Sequence, residues 1–470
     1  MTDVARPRVT ILGGGIAGLA AAWECQRLGL PATVLERQTR VGGVIRTDVV
    51  DDEAGRFVLD AGPDAFLVSK PGALDLCREL GIDGRLITME SPRGAYVLRD
   101  GHLHALPDGG AFGVATRVVP FLASTLLSPA GKLRTALEPL VTRRLATDAH
   151  ADADESAGAF FRRRFGAEFA RRIAQPLLGG IHAGDLDRLS AQAVVPQLVA
   201  MEQAGRSVLL TLRAQSRRPR EGGAFRSFRD GMITLVDEMH RQLRAGVVRL
   251  GDGAIAVADT PTGWRVTTSS GSDVDSELLL LAAPAPIVAG WLRPLSPQVA
   301  DLAAGIRYVS SAGVLSAYHS TAIARPLRGS GYVSTKDGSE RLLATSWLTG
   351  KWAGRAPAGF TLLRGFYGGA YDEGVLDSTD EALIEDAHAS WARRFGIAGR
   401  PRFSRVVRWP ATSPQHEVGH LSRVATIDEV LTGLGGIAVA GSGFRAVGIP
   451  DVVSDSRHAV RRLLEAWRAR

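Results

Sequence analysis

The stretch Val9-Thr10-Ile11-Leu12-Gly13-Gly14-Gly15-Ile16-Ala17-Gly18 decides the fold. Four apolar and β-branched residues read as a short strand. A Gly-x-Gly-x-x-Gly turn follows without a gap, and Leu19 to Leu28 reads as a helix stopped by Gly29. Pro31 to Leu35 is a second strand, and it ends at Glu36. Each part has a mechanical reason. Gly13 permits the tight turn, Gly15 lets backbone approach a pyrophosphate, and Gly18 lets helix and strand pack closely. The helix then points its free N–H groups and its dipole at the phosphates. An acid about 20 residues beyond the glycines is placed to hold both hydroxyls of an adenosine ribose. Glu36 in place of a basic residue argues against a 2′-phosphate. This predicts a doubly wound α/β unit that binds an adenine dinucleotide.

The next residues choose the cofactor. Val41-Gly42-Gly43-Val44-Ile45-Arg46-Thr47 brings a second glycine pair and a cation to the same place. Arg46 can reach a phosphate or the flavin edge. The combined stretch resembles the extended FAD fingerprint of the amine-oxidase-like flavoprotein superfamily, so FAD is expected rather than NAD.

Length and composition fit such an enzyme. A chain of 470 residues has room for two or three domains. Apolar residues make up 45% and charged residues 22%, as in ordinary globular proteins. The net charge of +7 favours anionic partners. No basic run with interleaved aromatics occurs, so nucleic acid is not expected. Cys25 and Cys77 are the two cysteines, too few for a disulfide framework, and a reducing cytoplasm is expected. No uncharged apolar run reaches the roughly 18 residues of a membrane span. Val114 to Leu127 comes nearest, but Arg117 and Pro120 interrupt it.

Further along, Asp60-Ala61-Gly62-Pro63-Asp64 follows a short strand, and Lys70-Pro71 opens a helix over Gly72 to Leu80. Ala95 to Leu98 and His102 to Leu106 form a hairpin across Asp100-Gly101. Phe112 to Thr142 reads as largely helical, as do Ser156 to Arg172 and Ser190 to Gly205. Gly179-Gly180-Ile181-His182-Ala183-Gly184-Asp185 reads as a glycine-rich loop, and Arg217 to Gly223 as an exposed linker. Leu278 to Leu281 is a fully buried parallel strand, so the chain re-enters the nucleotide-binding domain near residue 223. Strands of an antiparallel sheet are expected from Ile306 to Tyr367. An amphipathic helix follows over Thr379 to Phe395, then a strand over Val406 to Trp409 ended by Pro410. Gly436 to Gly441, the loop to Pro450 and a helix from Asp451 close the fold. Gly448 and its neighbours can aim N–H groups at the flavin pyrimidine oxygens. His102 with His104, and His416 with His420, lack companions at metal-ligand spacing, so surface or hydrogen-bonding roles are expected.

Taken together, the fingerprint, Val41 to Thr47, Asp60 to Asp64, Gly179 to Asp185 with Leu189-Ser190, Phe228-Arg229-Asp230-Gly231, Ala282-Ala283-Pro284-Ala285 and Val447-Gly448-Ile449-Pro450-Asp451 resemble the oxygen-dependent protoporphyrinogen/coproporphyrinogen oxidases of haem synthesis. The resemblance runs from about Arg8 to the closing helix. It implies an FAD-binding Rossmann-like domain, an interleaved antiparallel-sheet substrate domain and a helical membrane-facing domain. The corresponding boundaries are 1–90, 223–300 and 411–470 for the FAD domain, 91–222 for the helical domain and 301–410 for the substrate sheet. It implies non-covalent FAD, a porphyrinogen substrate and O2 as acceptor. It leaves room for contact with a membrane surface and with haem-pathway enzymes. Cofactor contacts are then expected at Gly13, Gly15, Gly18, Glu36, Gly42, Gly43, Arg46, Val257, Gly441, Val447 and Gly448. Substrate contacts are expected at Lys70, Gly179, Gly180 and Arg46. No side chain is expected to catalyse directly, because the flavin carries the chemistry, and no metal is expected. Lys70 matches a lysine of the coproporphyrinogen-type enzymes. A cation there suits a substrate with four propionates, so coproporphyrinogen III is preferred to protoporphyrinogen IX. Flavin amine oxidases are the nearest rivals on this fold. The aromatic residue that they place near the C-terminus has no Tyr to match it here beyond Tyr371.

Overall fold

The computed structural model describes residues 6–89, 94–107, 112–144, 154–205, 207–216, 223–335 and 340–470. Its centre is a five-stranded parallel sheet in the order Val248–Leu250, Ala32–Glu36, Val9–Leu12, Leu278–Leu281, Ile437–Val439. The four leucines Leu278 to Leu281 are all buried because both faces of their strand are covered. Leu278 and Leu280 join the core with the fingerprint helix Ile16–Arg27 and the closing helix Ile449–Arg468. Leu279 and Leu281 join Leu12, Leu35 and Val439 in the core on the other face. The period-2 alternation of strands thus divides one apolar run between two cores. Glu24, 2% exposed, ties the two helices together through Arg457 at 2.8 Å and Arg461 at 2.7 Å.

A seven-stranded sheet lies beside this unit. Its order is Phe403–Pro414, Tyr308–His319, Phe360–Gly368, Ala344–Trp347, Gly331–Ser334, Tyr96–Arg99, His102–Ala105. It is antiparallel except where Gly331–Ser334 meets Tyr96–Arg99 in parallel. The hairpin at 96–105 therefore extends this sheet rather than the helical part of the chain. The strand over Val406 to Trp409 does not end at Pro410 but runs from Phe403 to Pro414. It is an edge strand, where a missing N–H costs no ladder bond. A bulge between Val309 and Ser311 with Ala411 at φ 47° takes up the proline.

The helical part is more broken than its composition suggests. Between 112 and 142 the α-helices are only Val118–Ala123 and Pro129–Ala136. Pro129 begins the second under a Ser128 cap and disfavours helix in the residue before it. The helix expected over Ser156 to Arg172 is broken at Gly166, which adopts φ 96°, and resumes at Ala167, turning into a π-helix over Ala170–Ala174. Pro196 likewise splits Ser190 to Gly205 into Ala191–Val194 and Pro196–Gly205. The linker expected at Arg217 to Gly223 lies outside the described residues but for Gly223.

The two sheets are joined at Asp60-Ala61-Gly62-Pro63-Asp64. Asp60 is 1% exposed. It accepts hydrogen bonds from Thr47 Oγ1 at 2.6 Å and Met232 N at 2.9 Å, and its other oxygen lies 2.7 Å from Arg355. Arg364 donates to the carbonyls of Ala61 and Gly62, and Trp409 to that of Ala61. Lys351 and Trp352 donate to Asp64. Burial pushes the Asp64 carboxyl up, but the charge and hydrogen bond of Lys351, with Arg364 and Trp352, hold it well below its ordinary value. Arg355→Met leaves the buried Asp60 without its counter-charge. It should lower unfolding stability by about 3–5 kcal/mol, read as a fall in Tm and in the denaturant midpoint.

Candidate functional site

The fingerprint turn is built as its glycines require. A Cβ on Gly13 would lie 2.6 Å from the Ala282 carbonyl oxygen, and one on Gly18 would lie 1.8 Å from that of Gly13. Gly15 differs. A Cβ there meets nothing within 4 Å, and its φ of −71° suits any residue. The glycine at this position keeps space open rather than relieving a clash. The fingerprint helix starts at Ile16 with no side-chain cap and no acid in its first turn, so its positive end is turned toward that space. Gly42 N donates to Gly14 O at 2.9 Å, and a Cβ on Gly43 would come within 3.4 Å of Gly15 Cα. The two glycine loops thus form two sides of one cradle.

Glu36 borders the fingerprint turn. Its carboxylate accepts from Gly14 N at 2.6 Å and Gln38 N at 2.7 Å, which fixes its plane and leaves lone pairs for a diol. Asp252 N donates to Glu36 O, which brings the start of strand Ala254–Thr260 alongside. Val257 in that strand is 4% exposed and its side chain belongs to the core with Leu12 and Leu35. Only its backbone, on an edge strand, is available to a ligand.

Arg46 is half exposed and makes a bidentate pair with Asp48 at 2.7 and 2.9 Å. Arg40 is a cation of the cradle that the sequence reading missed. It donates to the carbonyls of Val41 and Gly43. Burial and the charge of Arg46 pull its pKa down against Glu36 and Asp48, so two guanidiniums share the region. Its place four residues after Glu36 was the available signal.

At the far end, Gly441 has φ 111°, and a Cβ on it would lie 3.4 Å from Ala17 in the first turn of the fingerprint helix. Its N–H is held by Asp455 at 3.0 Å. Gly448 stands at the N-cap of the closing helix without a side-chain cap, and Val447 beside it is 39% exposed. A second helix N-terminus therefore comes to the same region. Lys70 arrives here too, because the helix Gly72–Glu79 packs its start against Pro450 and Ser454. Lys70 Nζ lies 2.5 Å from Asp451 Oδ2, with about a third of each side chain exposed.

Gly179 and Gly180 are not in a loop. They belong to the helix Gln175–His182, which ends at Ala183 in the left-handed region. The Gln175 side chain binds Gly184 O and Leu186 N and so folds the turn back on the helix. Gly179 is buried against this amide, where a Cβ would lie 2.1 Å from Nε2. Its reason is packing. Gly180 and Ile181 are exposed, Ile181 at 69%. His182 follows. Burial lowers its pKa to about 4, and the charges of His416 and Lys70 add to the effect. The structure thus brings Lys70, His182 and His416 within electrostatic reach of one another.

The two histidine pairs form hydrogen bonds. His102 meets Asp100 O and His104 meets Thr125 Oγ1. His416 and His420 are buried, with their rings stacked at 4.0 Å. Both cysteines are buried, and burial pushes their thiols up to about 12, which suits a cofactor held without a covalent bond.

Residues 16–464 match the family described as flavin containing amine oxidoreductase. The chain belongs to this family. As a flavoprotein of the family it uses FAD, and the open cradle at Gly15 between two uncapped helix starts fits that group. The chain is 32% identical to the coproporphyrinogen III oxidase of Bacillus subtilis (strain 168), with 97% of each chain covered. It is also 32% identical to that of Propionibacterium freudenreichii subsp. freudenreichii, with 99% of this chain and 92% of that one covered. A solved structure from Exiguobacterium sp. 255-15, provisionally assigned as a protoporphyrinogen oxidase, matches with a TM-score of 0.84 at 27% identity. That match covers 98% of this chain and 99% of the other.

Two outcomes follow for this flavoprotein. Gly15→Ala should fold with its Tm as flavin-free protein unchanged, yet retain little FAD after gel filtration, because the methyl occupies the cradle. Gly18→Ala should instead fail to give soluble protein. Separately, burial and the charge of His416, with Arg423 and Arg445, lower His420 to about 3. Unfolded histidine takes its proton near pH 6.5. The unfolded state therefore binds more protons below that pH, and stability is lost as pH falls from about 6.5 toward 3. Tm against pH should slope accordingly, and His420→Gln should flatten the slope.

Proposed function

We propose that this flavoprotein oxidises coproporphyrinogen III to coproporphyrin III in haem biosynthesis, in three two-electron steps, with O2 as acceptor and hydrogen peroxide released. One observation carries this reading: relatives named for that activity align with almost the whole chain. When bound, FAD supplies hydride acceptance at N5 and passes the electrons on to oxygen. The chain's residues do the rest. Gly13, Gly15, Gly18 and Glu36 hold the adenosine diphosphate half. Gly42, Gly43, Arg46, Gly441, Val447 and Gly448 hold the flavin half, and the Val257 backbone borders the adenine. Lys70 exchanges Asp451 for a substrate propionate, a charge-assisted bond of a kind that Gly180 and Gly179 cannot offer. Gly180, exposed beside Ile181, leaves room for the macrocycle, while Gly179 shapes its helix from behind. A neutral His182 next to Lys70 preserves the lysine's pull on carboxylates.

Protoporphyrinogen IX is the second reading, favoured by the provisional assignment of the Exiguobacterium structure. Supplying each porphyrinogen in air and following porphyrin fluorescence separates the two. Coproporphyrinogen III should turn over faster. No porphyrin above the autoxidation rate would remove the oxidase reading, and equal rates would remove the preference. Lys70→Ala should raise KM for coproporphyrinogen about tenfold, with FAD content intact.

A cytoplasmic protein in contact with a membrane surface or a haem-pathway enzyme is part of the same proposal. Among the described residues no helix is long and apolar enough to cross a membrane. Val118, Val119 and Leu122 are 53%, 77% and 59% exposed on the helix Val118–Ala123. Leu133, Leu137 and Leu140 are also exposed nearby in the chain. Val119→Asp with Leu122→Asp should lower co-sedimentation with anionic vesicles without changing turnover of soluble substrate.

A further inference from the structure

The segment Gln415 to His420 is held on both sides. On one side it grips the helical part of the chain. Gln415 Nε2 donates to His182 O at 3.1 Å, Ser190 N donates to His416 O at 2.8 Å, and Val418 N donates to Arg188 O at 2.9 Å. Arg188 pairs with Glu417 at 2.9 Å, and Gly419 N donates to Asp154 at 3.1 Å. On the other side stand two imidazoles. His416 Nε2 lies 2.9 Å from Ser442 O, and His420 Nε2 lies 2.7 Å from Phe444 O. The rings are stacked, 4.0 Å apart and 12° from parallel, and each residue is 3% exposed. A carbonyl only accepts, so each Nε2 is the protonated nitrogen of its ring and donates.

We infer that His416 and His420 are positioning residues for the flavin. They act through the loop Ser442 to Gly448 and set its distance from the substrate-side wall at His182. The inference rests on the reading of that loop as the flavin end of the site. The geometry supports an aligning role over a general packing one. Two donors, one in the segment before the helix His420–Leu434 and one at its first residue, meet two carbonyls two residues apart, so the loop is fixed in register as well as in place. Gly443 has no freedom on its other side, since a Cβ there would lie 2.2 Å from Tyr308 Oη. The loop is therefore gripped between the imidazoles and Tyr308, and its remaining N–H groups keep one direction.

The test uses holoenzyme and follows free-flavin fluorescence after dilution, with the visible flavin band and the porphyrinogen KM measured in parallel. His420→Leu removes one donor and leaves Phe444 O unsatisfied. It should speed FAD release about tenfold and shift the band, with KM within about twofold of native. His420→Gln, which restores an N–H at similar reach, should stay within about threefold of the native release rate. Val424→Ala, a buried change one turn further along the same helix, should lower Tm without speeding release. Should His420→Leu give no folded protein, His416→Phe keeps the stacked ring, lacks the donor and is read in the same way. Native release from the donor-less variant, a Gln variant as defective as the Leu variant, or equal loss in Val424→Ala each overturn the inference. Gly448→Val addresses the underlying reading. Unchanged flavin retention there would remove the loop from the flavin and the inference with it. Changed retention there, with native behaviour of the donor-less variant, would overturn the inference alone.

Discussion

Asp60 is shut away from water, so every one of its contacts must come from protein, and each comes from a different part of the chain. Thr47 belongs to the second glycine segment, Met232 to the return into the nucleotide-binding unit, and Arg355 to the loop that leads into the large-sheet strand Phe360–Gly368. A buried carboxylate with three such partners tolerates little displacement of any of them. The cradle for the cofactor and the wall facing it are therefore set against each other by one charged joint. Arg364, Trp409, Lys351 and Trp352 widen that joint to the whole Asp60 to Asp64 turn.

The nucleotide-binding half was legible because its signals are local. Glycines at fixed spacing, an acid at a strand end and a run of four leucines each state a backbone requirement that no distant contact overrules. The helical part was not legible in the same way. Phe112 to Thr142 has the composition of a helix, but Pro129 and the burial of Leu126 and Leu127 decide its course. Gly179-Gly180 was read as a loop because two glycines weaken a helix. The amide of Gln175, packed where a Gly179 side chain would stand, overrides that preference. Such side-chain caps and close approaches are tertiary facts. So are the ion pair of Lys70 with Asp451, 381 residues apart, and the stacking of His416 on His420. The spacing of those two histidines was visible, but their target loop was not.

On the proposed substrate side, the cation is Lys70. Lys70 is partly exposed and paired, and the helix start beneath it is positive in the same sense. His182 stays neutral there because burial and its neighbours withhold its proton. In the proposed role, a substrate carboxylate reaches Lys70 only in competition with Asp451.

The parallel sheet and its two long helices also impose an order on biosynthesis. The parallel sheet opens with Val9–Leu12, but Ile437–Val439, which among the described residues pairs with Leu278–Leu281 alone, comes more than four hundred residues later. A nascent chain therefore displays an incomplete sheet until that strand has emerged from the ribosome. Glu24 in the first helix has Arg27 beside it from the start and gains Arg457 and Arg461 only when the closing helix packs. Completion of the parallel sheet thus waits until both of its far-separated segments have been made.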